Sequence, residues 1–275
     1  MLTRRNLLTG AAAAAVGAAV TGRAAHAALP VVDMEALIKA AQIDPRRADT
    51  AITTGSKDSV LLVERALQAR GLLSATYVDG HFGTSTVAAY AAYQRSLGYS
   101  GLDATGLPGQ TSLRLLGEGR FTVTRLLTPG GVVAFRGVQV NTRTRAMLLE
   151  AERLLGGQLT ITQGSYNVSN PASAGTHDGG GALDLSVSGM STTYRTTVVR
   201  QLRRVGFAAW LRTPAQGNWP YHIHAIALAD TDQAANAQHQ AGDYYLGLNG
   251  LANRGADDGP AVTPKVTWEE YQRTT

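Results

Sequence analysis

Cysteine is absent from the chain. That rules out disulfides, so packed cores must supply stability, and it rules out any cysteine nucleophile. Long apolar runs are missing as well. The Ala-rich stretch Ala11 to Val20 has only about half of the roughly twenty residues a bilayer span requires, so no stable membrane insertion is expected. A working excess of charge is the third absence. The formal +5 includes Arg4, Arg5 and Arg23 of an acid-free amino-terminal segment; without them 22 basic side chains face 20 acidic ones. That near balance gives no electrostatic basis for binding nucleic acid. Arg200, Arg203 and Arg204 lie along one predicted helix and read as its solvated face.

Residues 1–27 read as a cleavable export signal. Thr3-Arg4-Arg5-Asn6-Leu7-Leu8 carries a twin-arginine pair ahead of the Ala-rich run, and Ala25-His26-Ala27 is a small-x-small cleavage site. The mature chain is then expected to begin at Ala28 and to be secreted or held in the cell wall, exported by the twin-arginine route. Pro30, Pro45 and the Thr-rich end of residues 28–54 mark that segment mainly as a linker, although Met34 to Gln42 has helical character.

From Gly55 to Gly117 the periodicity predicts three amphipathic helices, over Ser59 to Arg70, Thr84 to Leu97 and Gly109 to Leu116, with Thr84 or Ser85 as a cap. Between the first two lies the turn Asp79-Gly80-His81-Phe82-Gly83. Together with Val63-Glu64-Arg65-Ala66-Leu67, Thr86, Tyr90, Tyr93-Gln94, Thr111 and Leu113, this turn resembles the three-helix peptidoglycan-binding domain found beside bacterial wall hydrolases. The resemblance implies peptidoglycan as partner.

Gly and Pro cluster again at 118–137, read as a second linker with one short strand over Phe121 to Leu127. Residues 138–275 then predict an α+β domain. It has helices at Thr142 to Leu155 and Ser191 to Val205, and strands at Leu159 to Thr162, Ala182 to Val187 and His222 to Leu228. A monomer is expected.

Three of the six histidines fall in two short motifs of this domain: His177-Asp178-Gly179-Gly180-Gly181-Ala182-Leu183-Asp184 and His222-Ile223-His224. The two-residue strand period places Asp184 on one face with Ala182 and Ser186, and His222 with His224. Two imidazoles and a carboxylate are a ligand set for zinc with one position open. The Gly run offers a tight turn and close access to substrate or metal. Thr176-His177 with Gly181-Ala182-Leu183-Asp184, followed by the HxH, resembles the superfamily that unites lysostaphin-type endopeptidases, D-Ala-D-Ala metallopeptidases and hedgehog domains. The resemblance spans roughly residues 138–230. It implies a fold on an antiparallel sheet with flanking helices, Zn2+ held by His177, Asp184 and His224, and acid–base chemistry at His222, for which a supporting or packing role stays open.

Two departures bear on the substrate. No carboxylate precedes His224 within Trp219-Pro220-Tyr221-His222, where dipeptidase members carry Glu. Gly164-Ser165-Tyr166-Asn167 lacks the Arg that binds a substrate carboxylate in the carboxypeptidase branch. Both favour cleavage of an internal stem or cross-link bond. Gln163, Tyr166 and Ser173 are candidate cleft residues, a turn over Asn167 to Ser173 being equally open, and Asp178 is either a substrate-amine contact or a turn former. The expected activity is a zinc metallopeptidase acting on peptidoglycan. The alternatives are an idle wall-binding protein with a structural zinc, or a zinc amidase cutting the muramoyl-L-Ala bond.

Overall fold

The computed structural model describes residues 28–275; the expected export signal lies outside them. The architecture is mixed α+β, with eight helices and three small sheets among the described residues. No described helix is long and apolar enough to cross a membrane.

Strand β1 (Val31–Asp33) runs into helix α1 (Met34–Ile43), where the Asp33 carboxylate caps the helix by accepting from the Ala36 N–H. Helices α2 (Lys57–Gln68), α3 (Thr84–Ser96) and α4 (Gln110–Gly117) follow. The residue capping α3 is Gly83, without a side-chain bond, and neither Thr84 nor Ser85 holds that position. Met34, Leu37 and Ile38 of α1 are fully buried in one core with Val63, Leu67, Phe82, Tyr90 and Leu113. Residues 28–54 thus contain a packed strand and helix, where the sequence suggested mainly a linker. The prolines do not interrupt α1, because Pro30 precedes β1 and Pro45 sits in the 3-10 turn that follows the helix.

The second expected linker is built too. Strand β2 (Thr122–Thr124) pairs in parallel with β1, Leu127 is buried in the helical core, and β3 (Val132–Phe135) forms a hairpin with β4 (Val138–Asn141). Its glycines mark turns between elements.

Helix α5 (Thr142–Leu155) is capped by the Asn141 side chain, which accepts from the Thr144 N–H at 2.7 Å, and ends at Gly156 with φ 67°. Strands β5 (Ile161–Gln163) and β6 (Ala182–Ser186), helix α6 (Thr192–Arg204), strands β7 (Phe207–Arg212) and β8 (His222–Ala227), and helices α7 (Ala235–Tyr245) and α8 (Trp268–Thr274) complete the chain. The sheet has the order β5-β6-β8-β7 and is antiparallel throughout.

Alternation divides that sheet cleanly. Leu183, Leu185, Phe207, Ala209, Ile223 and Ala225 face a core with Met147 and Leu148 of α5 and Val198 and Leu202 of α6. On the other face Ala182, Ala208, Trp210 and Ile226 pack beneath Ala237, Ala241 and Tyr244 of α7. The candidate site lies farther along this second face, beside the part that α7 covers.

Arg203 does not belong to a solvated helix face. It is 1% exposed, donates to both carboxylate oxygens of Asp257 at 2.8 and 2.9 Å, and bonds the carbonyls of Ala209 and Pro260. Helical spacing groups it with Arg200 and Arg204, but its partner lies 54 residues away.

Candidate metal centre

Pairing of β6 with β8 sets Asp184 directly opposite His224, and pairing of β8 with β7 sets Trp210 on the other side of His224. His177 enters from the loop before β6. Its Nδ1 lies 2.8 Å from the Gly164 carbonyl, which can only accept, so Nδ1–H donates and Nε2 keeps its lone pair. That Nε2 is 3.3 Å from Asp184 Oδ1. His224 Nδ1 is 2.7 Å from the same oxygen, while its Nε2 lies 2.7 Å from Gln240 Oε1 on α7. With Gln240 accepting, Nε2–H donates and Nδ1 keeps the lone pair that could coordinate a metal. One donor atom from each of His177, Asp184 and His224 falls within 4.8 Å of the others, so the three can hold a metal ion.

Electrostatics favour the ligand forms. Burial raises the Asp184 carboxyl, but its His177 and His224 neighbours prevail and hold it far below the usual carboxylate range. Burial depresses the His224 imidazole despite the pull of Asp184. An ionised carboxylate and a neutral imidazole are the species a metal requires. The donor set, two nitrogens and one carboxylate oxygen, suits a borderline-soft divalent ion.

His222 belongs to the same face but not to the cluster. Its Nδ1 donates to the Pro220 carbonyl at 2.8 Å, leaving Nε2 as an acceptor 3.8 Å from Asp184 Oδ1. Trp219 meets its ring edge-on, with centroids 6.3 Å apart. All four predicted site residues line one cleft of about 660 Å³, with Trp219, Tyr221 and Leu251 also in its lining.

Among the candidate cleft residues, Gln163 and Ser173 line it. Tyr166 does not: its hydroxyl turns away to donate to Asp232 at 2.9 Å. Asp178 is also absent from the lining and sits in the turn opened by Gly175. The Gly run serves packing more than access to metal. A Cβ at Gly179 would stand 2.3 Å from the Asp232 carbonyl oxygen, and Gly181 holds φ +85°. Sequence reasoning missed Gln240 and Arg212. Gln240 carried no motif signal; Arg212 ends an apolar run, Phe207-Ala208-Ala209-Trp210-Leu211, where a charge is unexpected.

No protein-family model, curated protein or solved structure matches the chain.

Proposed function

We propose that the chain is an exported zinc-dependent hydrolase that cleaves a peptide bond in the stem peptides or cross-links of peptidoglycan. The observation that carries this reading is the convergence of His177 Nε2, Asp184 Oδ1 and His224 Nδ1 in an open cleft, with His222 Nε2 beside them. Three protein ligands leave a position for water and substrate, as hydrolytic zinc sites require and structural ones do not. When bound, zinc supplies an activated water and polarises the scissile carbonyl. His222 accepts a proton at Nε2 and returns it to the leaving amine, while the Pro220 carbonyl fixes its tautomer. Gln240 and Gly164 hold the two ligand imidazoles in orientation. The resemblance of residues 55–117 to peptidoglycan-binding domains supports the wall as substrate, because a binding unit raises effective concentration on an insoluble polymer.

The test is mass spectrometry of soluble fragments released from purified sacculi by zinc-loaded protein, with Asp184→Ala as control. New amine and carboxyl ends within stem peptides are expected. Release of whole stems from muramic acid would replace this reading by an amidase, and no release by an idle binding protein.

A further inference from the structure

The connection between β7 and β8 gathers three ring side chains beside the candidate metal centre. Trp219, Pro220 and Tyr221 follow one another just before His222, the first residue of β8. Pro220 is exposed, Trp219 is half-buried, and Tyr221 keeps 50% of its surface in solvent. Rings left exposed together at a cleft are the informative exception to apolar burial and mark a surface built for contact.

The rings are also held in place. The indole of Trp219 lies against Gly217, where a Cβ would stand 2.2 Å from two of its ring carbons, and its edge meets the His222 ring. The Arg195 guanidinium, bonded to the Met190 carbonyl at 3.1 Å, sits 5.5 Å from the Tyr221 ring centroid. Aromatic side chains fixed in this way lose little further freedom when a ligand covers them. All three rings line the cleft that contains His177, Asp184 and His224. Trp219 and Pro220, with Asn218, also line a second, more open concavity of about 390 Å³ that reaches Pro214. The cleft therefore continues past Trp219 as a shelf of rings, flanked by the exposed Asn218 amide.

A stem peptide has little to lay on that shelf. Its side chains are methyl, carboxylate and amino groups, which bring almost no apolar area to three rings. The hexosamines of the glycan strand do: each presents a face of C–H bonds and an acetamido methyl, edged by polar groups that a side-chain amide can both donate to and accept from. We infer that Trp219, Pro220 and Tyr221 form a saccharide subsite, on which an N-acetylhexosamine rests while the attached stem peptide enters the cleft. The inference rests on the peptidoglycan reading of the cleft and deepens it: the substrate is recognised with its sugar attached. An internal stem bond offers no free chain end to grip, and the neighbouring sugar supplies the handle.

The test titrates zinc-loaded, full-length mature protein with a peptide-free N-acetylglucosamine tetramer and reads the dissociation constant by calorimetry. Wild type should bind the sugar. Tyr221→Ala and Trp219→Ala should each weaken binding by about tenfold or more, the usual cost of truncating an aromatic anchor. Trp219→Leu, which keeps apolar bulk over Gly217, serves if the Ala variant does not fold. Absence of binding at millimolar sugar, or binding that survives the loss of both aromatic rings, overturns the subsite. The second result would place the sugar on the helical unit of residues 55–117. Failure of the subsite and failure of the hydrolase are separable, because the titration involves no cleavage. Sugar binding that depends on these rings, without fragments released from sacculi, would refute the hydrolase and keep the subsite; fragments released without sugar binding would do the reverse.

Discussion

Glu64, beneath the Asp79–Gly83 turn, and Asp184, on the sheet, are two carboxylates drawn out of water whose surroundings push them in opposite directions. Glu64 is fully buried, and its oxygens accept from the N–H groups of Asp79 and Gly80 and from the Thr86 hydroxyl. Burial dominates there and raises its pKa to about 7, against those donors. Asp184 is also mostly buried, but its partners are imidazoles, and they hold it ionised. The first acid stitches a turn to a helix and faces no cleft. The second offers its charge to an open one. Burial of a carboxylate is therefore not the mark of a functional site; groups that stabilise its ionised form at a cleft are the better sign.

The sharpest way to break the contrast is to remove each acid in turn. Asp184→Ala should take zinc from about one per chain to a small fraction of that and abolish hydrolysis, while the fold persists, because it removes one of only three protein ligands. Glu64→Ala should leave zinc in place and lower the melting temperature, since two buried donors, the Gly80 N–H and the Thr86 hydroxyl, lose their acceptor at about 1–3 kcal/mol for each group left unsatisfied. Metal analysis and thermal melts on the same samples decide it; a Glu64 variant that sheds zinc would merge the two regions into one.

A smaller effect is expected one row away on the sheet. His222→Ala should keep its zinc and lose roughly two to four orders of magnitude in turnover, the usual range for a general acid–base. Wild-type turnover of cross-linked muropeptides by the zinc-replete variant would place the proton transfer elsewhere.

The smallest effect concerns pH. Between the ordinary carboxylate value of 4.5 and about 7, folded Glu64 keeps a proton that the unfolded chain has shed. Its contribution to stability is complete below the unfolded value and lost as pH rises through the folded one. The urea midpoint should fall between pH about 5 and about 8 in the wild type, and less so in Glu64→Gln. Identical slopes in the two proteins would remove Glu64 as the cause.

How much of this could be read from residues alone varied with how local the signal was. The face shared by Asp184 and by His222 with His224 followed from strand alternation, and β6 and β8 meet in the register that joins them. The helical character of Met34 to Gln42 was legible, but the flanking prolines pointed to a linker and no local sign showed that Met34, Leu37 and Ile38 had a core to enter. Strand β7 escaped notice because all but Leu211 of its six residues are buried, which leaves no alternation to detect. Helix α7 carries Gly242 in its interior, an unfavourable helix residue. The reason is tertiary, since a Cβ there would stand 2.0 Å from the Gln42 carbonyl oxygen of α1. Gln240 and Arg212 act through partners far away in the sequence, and no spacing rule reaches them.

That close approach at Gly242 has a mechanical meaning. Gln42 of α1 also bonds Gln233 at 2.7 Å, just before α7, Arg46 grips Asp243 through both carboxylate oxygens, and Gln240 of the same helix touches His224 of the candidate metal centre. The helical unit is bolted to the sheet instead of swinging from a cord. On the function proposed above, a binding unit mounted in this way would act as a ruler, its distance from the cleft set by helix packing.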